Sequence, residues 1–146
     1  VVWQNKAYLA SEIMKDDVKA IQCLDKVMEL QPLNIEGLSG RAVLHARIGN
    51  SELATKDITH ALKLCGVISG PTEYHAACVF ALIAKNDLRY EDQANKYLAR
   101  ALHHGYGLDL FDHDRDLDNI RESQAFREIM QVRQLIIDSE TSEMKD

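Results

Sequence analysis

Proline and glycine are scarce: two prolines and seven glycines in 146 residues. The chain therefore has few obligatory breaks, and long helical stretches are open to it. No stretch of four or more residues alternates convincingly between apolar and polar side chains, so no strand is predicted. No apolar run reaches the ~18 residues that a transmembrane helix needs. Basic residues are outnumbered, with 17 Lys and Arg against 23 Asp and Glu and a net charge of −6. Phosphate binding requires clustered Lys and Arg, so nucleic acid is not an expected partner. The three cysteines, Cys23, Cys65 and Cys78, are odd in number and widely spaced in apolar helical surroundings. They offer no disulfide framework and point to a reducing, cytoplasmic setting. The opening Val1-Val2-Trp3-Gln4 has neither an initiator Met nor a signal-peptide pattern. It reads as the first turn of a helix, and the expectation is a piece of a longer protein.

What remains is ordinary for one globular domain: 46% hydrophobic and 27% charged residues. Apolar residues at helical spacing predict helices over about 2–14, 17–30, 35–48, 52–64, 71–85, 91–103 and 124–138. Asp16 and Asp17 offer cap chemistry to the second and Ser51 to the fourth. Pro71 suits the first turn of the fifth, where a missing N–H costs nothing. That helix, rich in Ala, Cys, Val, Phe, Leu and Ile from Ala76 to Ala84, is apolar nearly all round and is predicted to be the most buried. The tail 139–146 is polar and predicted to be flexible.

The helices come in pairs, and residues 1–34 align without gaps on 35–68. Ala20 falls on Ala54, Leu24 on Ile58, Val27 on Ala61, and Leu30 on Leu64. A two-helix unit of this length is the period of tetratricopeptide repeats (TPR). Ala20, Ala54, Ala61 and Ala42 resemble the small residues that family uses where helices cross. Gly49 resembles its turn glycine and Pro32 its closing proline, while Trp3 stands one place from the motif's Trp. A third, stretched unit over 71–104 resembles the same pattern through Tyr74, Cys78, Ala94, Leu98 and Ala101. It carries two extra residues before Tyr74 and four in the turn 86–90. The resemblance implies an all-α, right-handed superhelix of antiparallel helix pairs, three units over 1–34, 35–68 and 71–104. A capping turn and helix over 105–138 would close the array.

The stretch from Tyr74 onward also resembles the end of TPR arrays in bacterial regulatory proteins, some attached to serine/threonine kinases. There the Asp-rich segment and last helix cap the array, since an end repeat otherwise exposes an apolar face. Phe126, Ile129, Met130 and Val132 to Leu135 are expected to provide that cover. Asp112, Asp114 and Asp116 alternate as at the start of a calcium loop. However, Leu117 stands where such a loop needs glycine, and Ser123 where it needs a bidentate Glu. The stretch is read as a solvated acidic turn. Asp114-Arg115-Asp116-Leu117 lacks the His and Asn of a kinase catalytic loop. His75 and Cys78, three apart on a helix, form an incomplete metal pair. Neither a catalytic residue, a cofactor nor a metal site is expected.

The family resemblance implies instead a concave groove lined by first helices. Carrying over its groove positions gives Asn5, Leu9 and Glu12 from the first unit. The second contributes Glu36, Ser39, Val43 and Arg47, and the third Thr72, His75 and Val79. The Lys, Asn and Arg clamp for a terminal carboxylate, used by chaperone-binding members, is absent: Asn5, Leu9, Gly40, Thr72 and Ala76 stand at those places. The expected function is a scaffold binding a peptide or helix of a partner protein. The alternatives are homo-oligomeric self-association, or a regulatory segment of a bacterial kinase lying upstream.

Overall fold

The computed structural model describes residues 1–67 and 69–143. Among the described residues seven α-helices run in order: α1 (Val2–Tyr8), α2 (Asp17–Leu30), α3 (Ile35–Arg47), α4 (Ser51–Cys65), α5 (Gly70–Ala84), α6 (Glu91–His103) and α7 (Gln124–Glu143). A π-helical turn, Leu9–Ile13, extends α1, and 3-10 turns cover Leu88–Tyr90 and Arg115–Ile120. No strand occurs among the described residues.

Local chemistry sets these bounds. The Asp16 carboxylate accepts from the Lys19 N–H at 2.9 Å, and the Asn34 side chain accepts from the Gly37 N–H at 2.7 Å. Each satisfies one of the donors a helix start leaves open. Ser51, the expected cap of α4, is its first residue instead; Asn50 stands at the cap position and makes no side-chain bond there. Lys15 leaves the first helix at φ 55, a left-handed conformation unusual for a side-chain-bearing residue.

Each helix packs on the next from α1 to α6, and α3 also lies on α5. The aligned small residues sit at those crossings: Ala20, Ala54 and Ala94 are fully buried, as are Ala61 and Ala101. Leu24, Ile58 and Leu98 are the large residues buried one turn further along each second helix. Arg41 of α3 ties the second and fourth helices together, reaching Asp25 and Asp57 at 2.7 Å each. The hydrogen bonds Arg41 donates to Asp57 hold its guanidinium above the usual range, against the desolvation that burial imposes.

Helix α5 is the hub. Its Phe80 is buried and stacks between Tyr90 and Tyr97, with ring centroids 5.8 and 5.7 Å away. Its one acidic side chain, Glu73, is 2% exposed and accepts from Arg100 at 2.7 Å and from His104 at 2.5 Å. A buried carboxylate is costly unless paired; one partner lies in α6 and the other is the residue that ends it, so the pairing fixes α6 on α5. Beyond α6 the chain turns back: Phe111, Leu117 and Ile120 are fully buried against α5. Gly107 makes that return possible. Its φ is +87, and a Cβ there would lie 2.8 Å from Phe111 and 2.9 Å from Tyr74.

The cover at the end differs from expectation in two ways. Phe126 is buried and Ile129 and Met130 pack partly on the core, but Val132 and Leu135 face outward at 51% and 69% exposure. Arg133 and Ile136 take the inward positions, because the 3.6-residue period turns 132 and 135 away once 126, 129 and 130 face in. Helix α7 also continues through Glu143, so the predicted flexible tail is helical from 139 to 143. Residues 144–146 of that tail, and Ile68 at the end of the second expected unit, lie outside the described residues.

Candidate functional site

A groove of about 1000 Å³ runs along one side of α1, α3 and α5 and is bounded at its far wall by the chain following α6. Ala7, Tyr8, Ser11 and Glu12 form its first wall, and Glu36, Gly40, Val43 and Arg47 come from α3. Tyr74, His75 and Cys78 form the α5 floor, and Tyr106, Asp109, Leu110 and His113 the far wall. Five of the residues expected in a groove do line it: Glu12, Glu36, Val43, Arg47 and His75. Ser39, Thr72 and Val79 do not, because each is buried between helices. Asn5 and Leu9 are exposed on α1 and its π turn, outside the groove lining.

Arg47 is the groove's most constrained cation. Its guanidinium meets Asp116 in a two-pronged pair, Nε to Oδ1 and Nη2 to Oδ2, both 2.9 Å. Nη1 donates to the Ser11 hydroxyl at 3.0 Å and approaches Glu12 and Asp17. Burial alone would lower the Arg47 pKa, but the Asp116 bond and the surrounding carboxylates outweigh it and raise the group. Burial likewise pushes the Asp116 carboxyl up, against the pull of Arg47. This fork-on-carboxylate geometry is directional, and it locks the Arg115–Ile120 turn onto α3 and the first helix.

The acidic stretch is therefore not the solvated turn expected from sequence. Each alternate aspartate holds a different helix. Asp112 pairs with Arg133 of α7 at 2.8 Å, Asp114 accepts from the Tyr74 hydroxyl of α5 at 2.8 Å, and Asp116 binds Arg47 of α3. Asp114 also accepts from the Asp116 N–H at 2.9 Å. Arg121 donates to the carbonyls of Phe111 and Asp114, and so braces the turn from within.

Cys78, Asp114 and Asp116 bring ligand-type atoms within 4.8 Å of one another. Their chemistry is already engaged. Asp116 is neutralised by Arg47, Asp114 is bonded by Tyr74, and the Cys78 thiol, 3.7 Å from Asp114, is pushed well up by burial and then by that carboxylate. A thiol so placed is a poor nucleophile, since that role needs the thiolate. The Tyr74 hydroxyl is raised for the same reasons, burial first. Burial lowers His75, so its imidazole is neutral at pH 7 and adds no charge to the floor.

Sequence reasoning did not find Tyr8, Tyr106, Asp109 or the clamping role of Asp116. The available signal was the Asp alternation at 112, 114 and 116, which sets one carboxylate for each neighbouring helix. No protein-family model, curated protein or solved structure matches the chain.

Proposed function

We propose that this chain is a TPR-like helical-repeat scaffold that binds a polypeptide segment of another protein in the groove, and that it is not a catalyst. The observation that carries this reading is the groove itself. It lies on α1, α3 and α5, the first helices of the three pairs, and its size is at the upper end of ordinary ligand sites. The helix-to-next-helix packing with buried alanines at the crossings supports a right-handed repeat array, in which such a concave face is the usual recognition surface. A walled groove of mixed polar and apolar lining suits an extended segment or one face of a helix. The raised Cys78 thiol supports the non-catalytic part of the reading.

Gly40 gives a clean test. It lines the groove, and a Cβ there meets only the Leu24 side chain at 3.6 Å, an ordinary contact. Gly40→Phe should fill the groove without unfolding the chain. Peptides selected from an immobilised random library should lose at least about tenfold in affinity for this variant. Selected peptides that bind it equally well would remove the groove as the site.

A second reading, self-association, is favoured by one specific feature. Val2, Leu9, Ile13 and Val18 are exposed around the first helix, with Leu9 at 52% and Ile13 at 69%. Sedimentation over a hundredfold concentration range would show a mass rising toward dimer, abolished by Leu9→Glu with Ile13→Glu. A constant monomer mass would sink it.

A further inference from the structure

We propose that the segment taken by the groove is cationic, an Arg- or Lys-bearing stretch of a partner polypeptide; this rests on the groove being the binding site. The lining carries six carboxylates, Glu12, Asp17, Glu36, Asp109, Asp114 and Asp116, against three cations, Lys15, Arg47 and Arg115. Two of the cations are already used. Arg47 is held by Asp116 with Ser11, Glu12 and Asp17 around it, and Lys15 pairs with Glu12 at 3.7 Å. Three of these carboxylates have no cationic partner among the described residues: Asp114, which the Tyr74 hydroxyl bonds, Glu36 at the start of α3 and Asp109 after α6; the last two are the ones left open. Glu36 receives only a 3.3 Å bond from the Gln4 amide. Both are exposed, so they are open to a guest.

The aromatic lining suits the same guest. Tyr8 is 63% exposed at the rim, and Tyr106 stands on the far wall beside Asp109. A guanidinium or ammonium can lie on such a ring face while its N–H groups reach a carboxylate. The low-dielectric walls focus the negative field into the groove, which speeds capture of a cation and repels acidic segments. The same field disfavours a second copy of this chain as guest, because the chain carries a net charge of −6. The groove thus has the opposite polarity to one that clamps a terminal carboxylate.

The test uses three labelled peptides of four repeated units: Arg-Leu-Ala, Gln-Leu-Ala and Glu-Leu-Ala. Fluorescence anisotropy is read with the full chain at low and physiological salt. The Arg peptide should bind at least tenfold more tightly than the Gln peptide, with affinity falling as salt rises, and the Glu peptide should not bind. Glu36→Lys with Asp109→Lys should weaken the Arg peptide at least tenfold. Glu122→Lys with Glu140→Lys, the same change of net charge outside the groove, should leave it within about twofold. Circular dichroism checks that each variant is folded. Equal binding of Arg and Gln peptides, both lost in Gly40→Phe, would overturn the cationic preference and leave the groove reading standing. Equal loss in the two charge-reversed variants would reduce the effect to net charge and overturn the proposal. Should none of the peptides bind, both the preference and the groove reading fail.

Discussion

The two ends of this molecule are built differently. From α1 to α4 the sequence aligns regularly, 1–34 on 35–68, and the first helices are held by a small cluster of Ala7, Ala10, Ala20, Ile21, Cys23, Leu24, Val27 and Leu44. From α5 onward that alignment holds only with extra residues before Tyr74 and in the turn 86–90. Yet this end holds the larger core, with Phe80, Phe111, Leu117 and Ile120 nearly or fully buried and two charged clusters stitching α5 to its neighbours. Regularity of pattern and depth of packing are thus separate properties. Small residues let helices cross closely, whereas stability follows the apolar area buried, which aromatic and branched side chains supply. The groove lies between the two ends. Its near wall is the lightly packed first helix and its far wall is the braced loop after α6.

The largest effect should come from the heavily packed end. Phe80→Ala should cost about 3–5 kcal/mol in urea unfolding, whereas Trp3→Ala, on the partly covered first helix, should cost about 1 kcal/mol. Equal costs would erase the contrast. Next, Arg47→Met leaves the Asp116 carboxylate buried without its partner and should cost about 2 kcal/mol. Arg47→Met with Asp116→Asn should recover part of that loss, because no buried charge is left unpaired. An Arg47→Met that unfolds no more easily than the native chain would mean the clamp holds nothing. Removing a cap within the regular half, Asn34→Ala, should cost about 1 kcal/mol through the lost bond to the Gly37 N–H.

The gentlest effect is that of pH. Burial lowers both His45, in the regular half, and His75, on the groove floor, below the ordinary value of 6.5. The unfolded chain then binds protons that the folded chain refuses. Their contribution is present in full above pH 6.5 and declines as pH falls through the folded-state values. His45→Leu with His75→Leu should flatten stability between pH 6.5 and 5, read as thermal midpoint against pH. An unchanged slope would assign the acid sensitivity to other groups.

Much of the helical content could be read from the sequence, because it depends on local signals. Asp16 caps where its side chain suggests, and the small-residue pattern at 20, 54 and 94 falls at buried crossings. The π turn after α1 and the left-handed Lys15 have no comparable local signal. The groove was legible only in part. Glu12, Glu36, Val43, Arg47 and His75 are among the groove positions that the TPR resemblance implies. Ser39, Thr72 and Val79 could not be separated from groove positions, since whether a residue faces ligand or neighbouring helix depends on how adjacent helices cross. The acidic stretch was the least readable. Asp112, Asp114 and Asp116 look like solvated charges until Arg133, Tyr74 and Arg47, tens of residues away in the chain, arrive beside them. Long-range pairing of this kind leaves no periodic trace.

The central claim is that the groove between α1, α3, α5 and the loop after α6 is where this protein meets its partner. The most direct test is a two-dimensional amide NMR titration with the Arg-Leu-Ala peptide. The account predicts progressive shifts concentrated at Tyr8, Glu36, Gly40, His75 and Asp109, all of which line that groove. Shifts confined instead to Leu9, Ile13 and Val18, or to Val132 and Leu135, would contradict it and move the interface to the ends of the molecule.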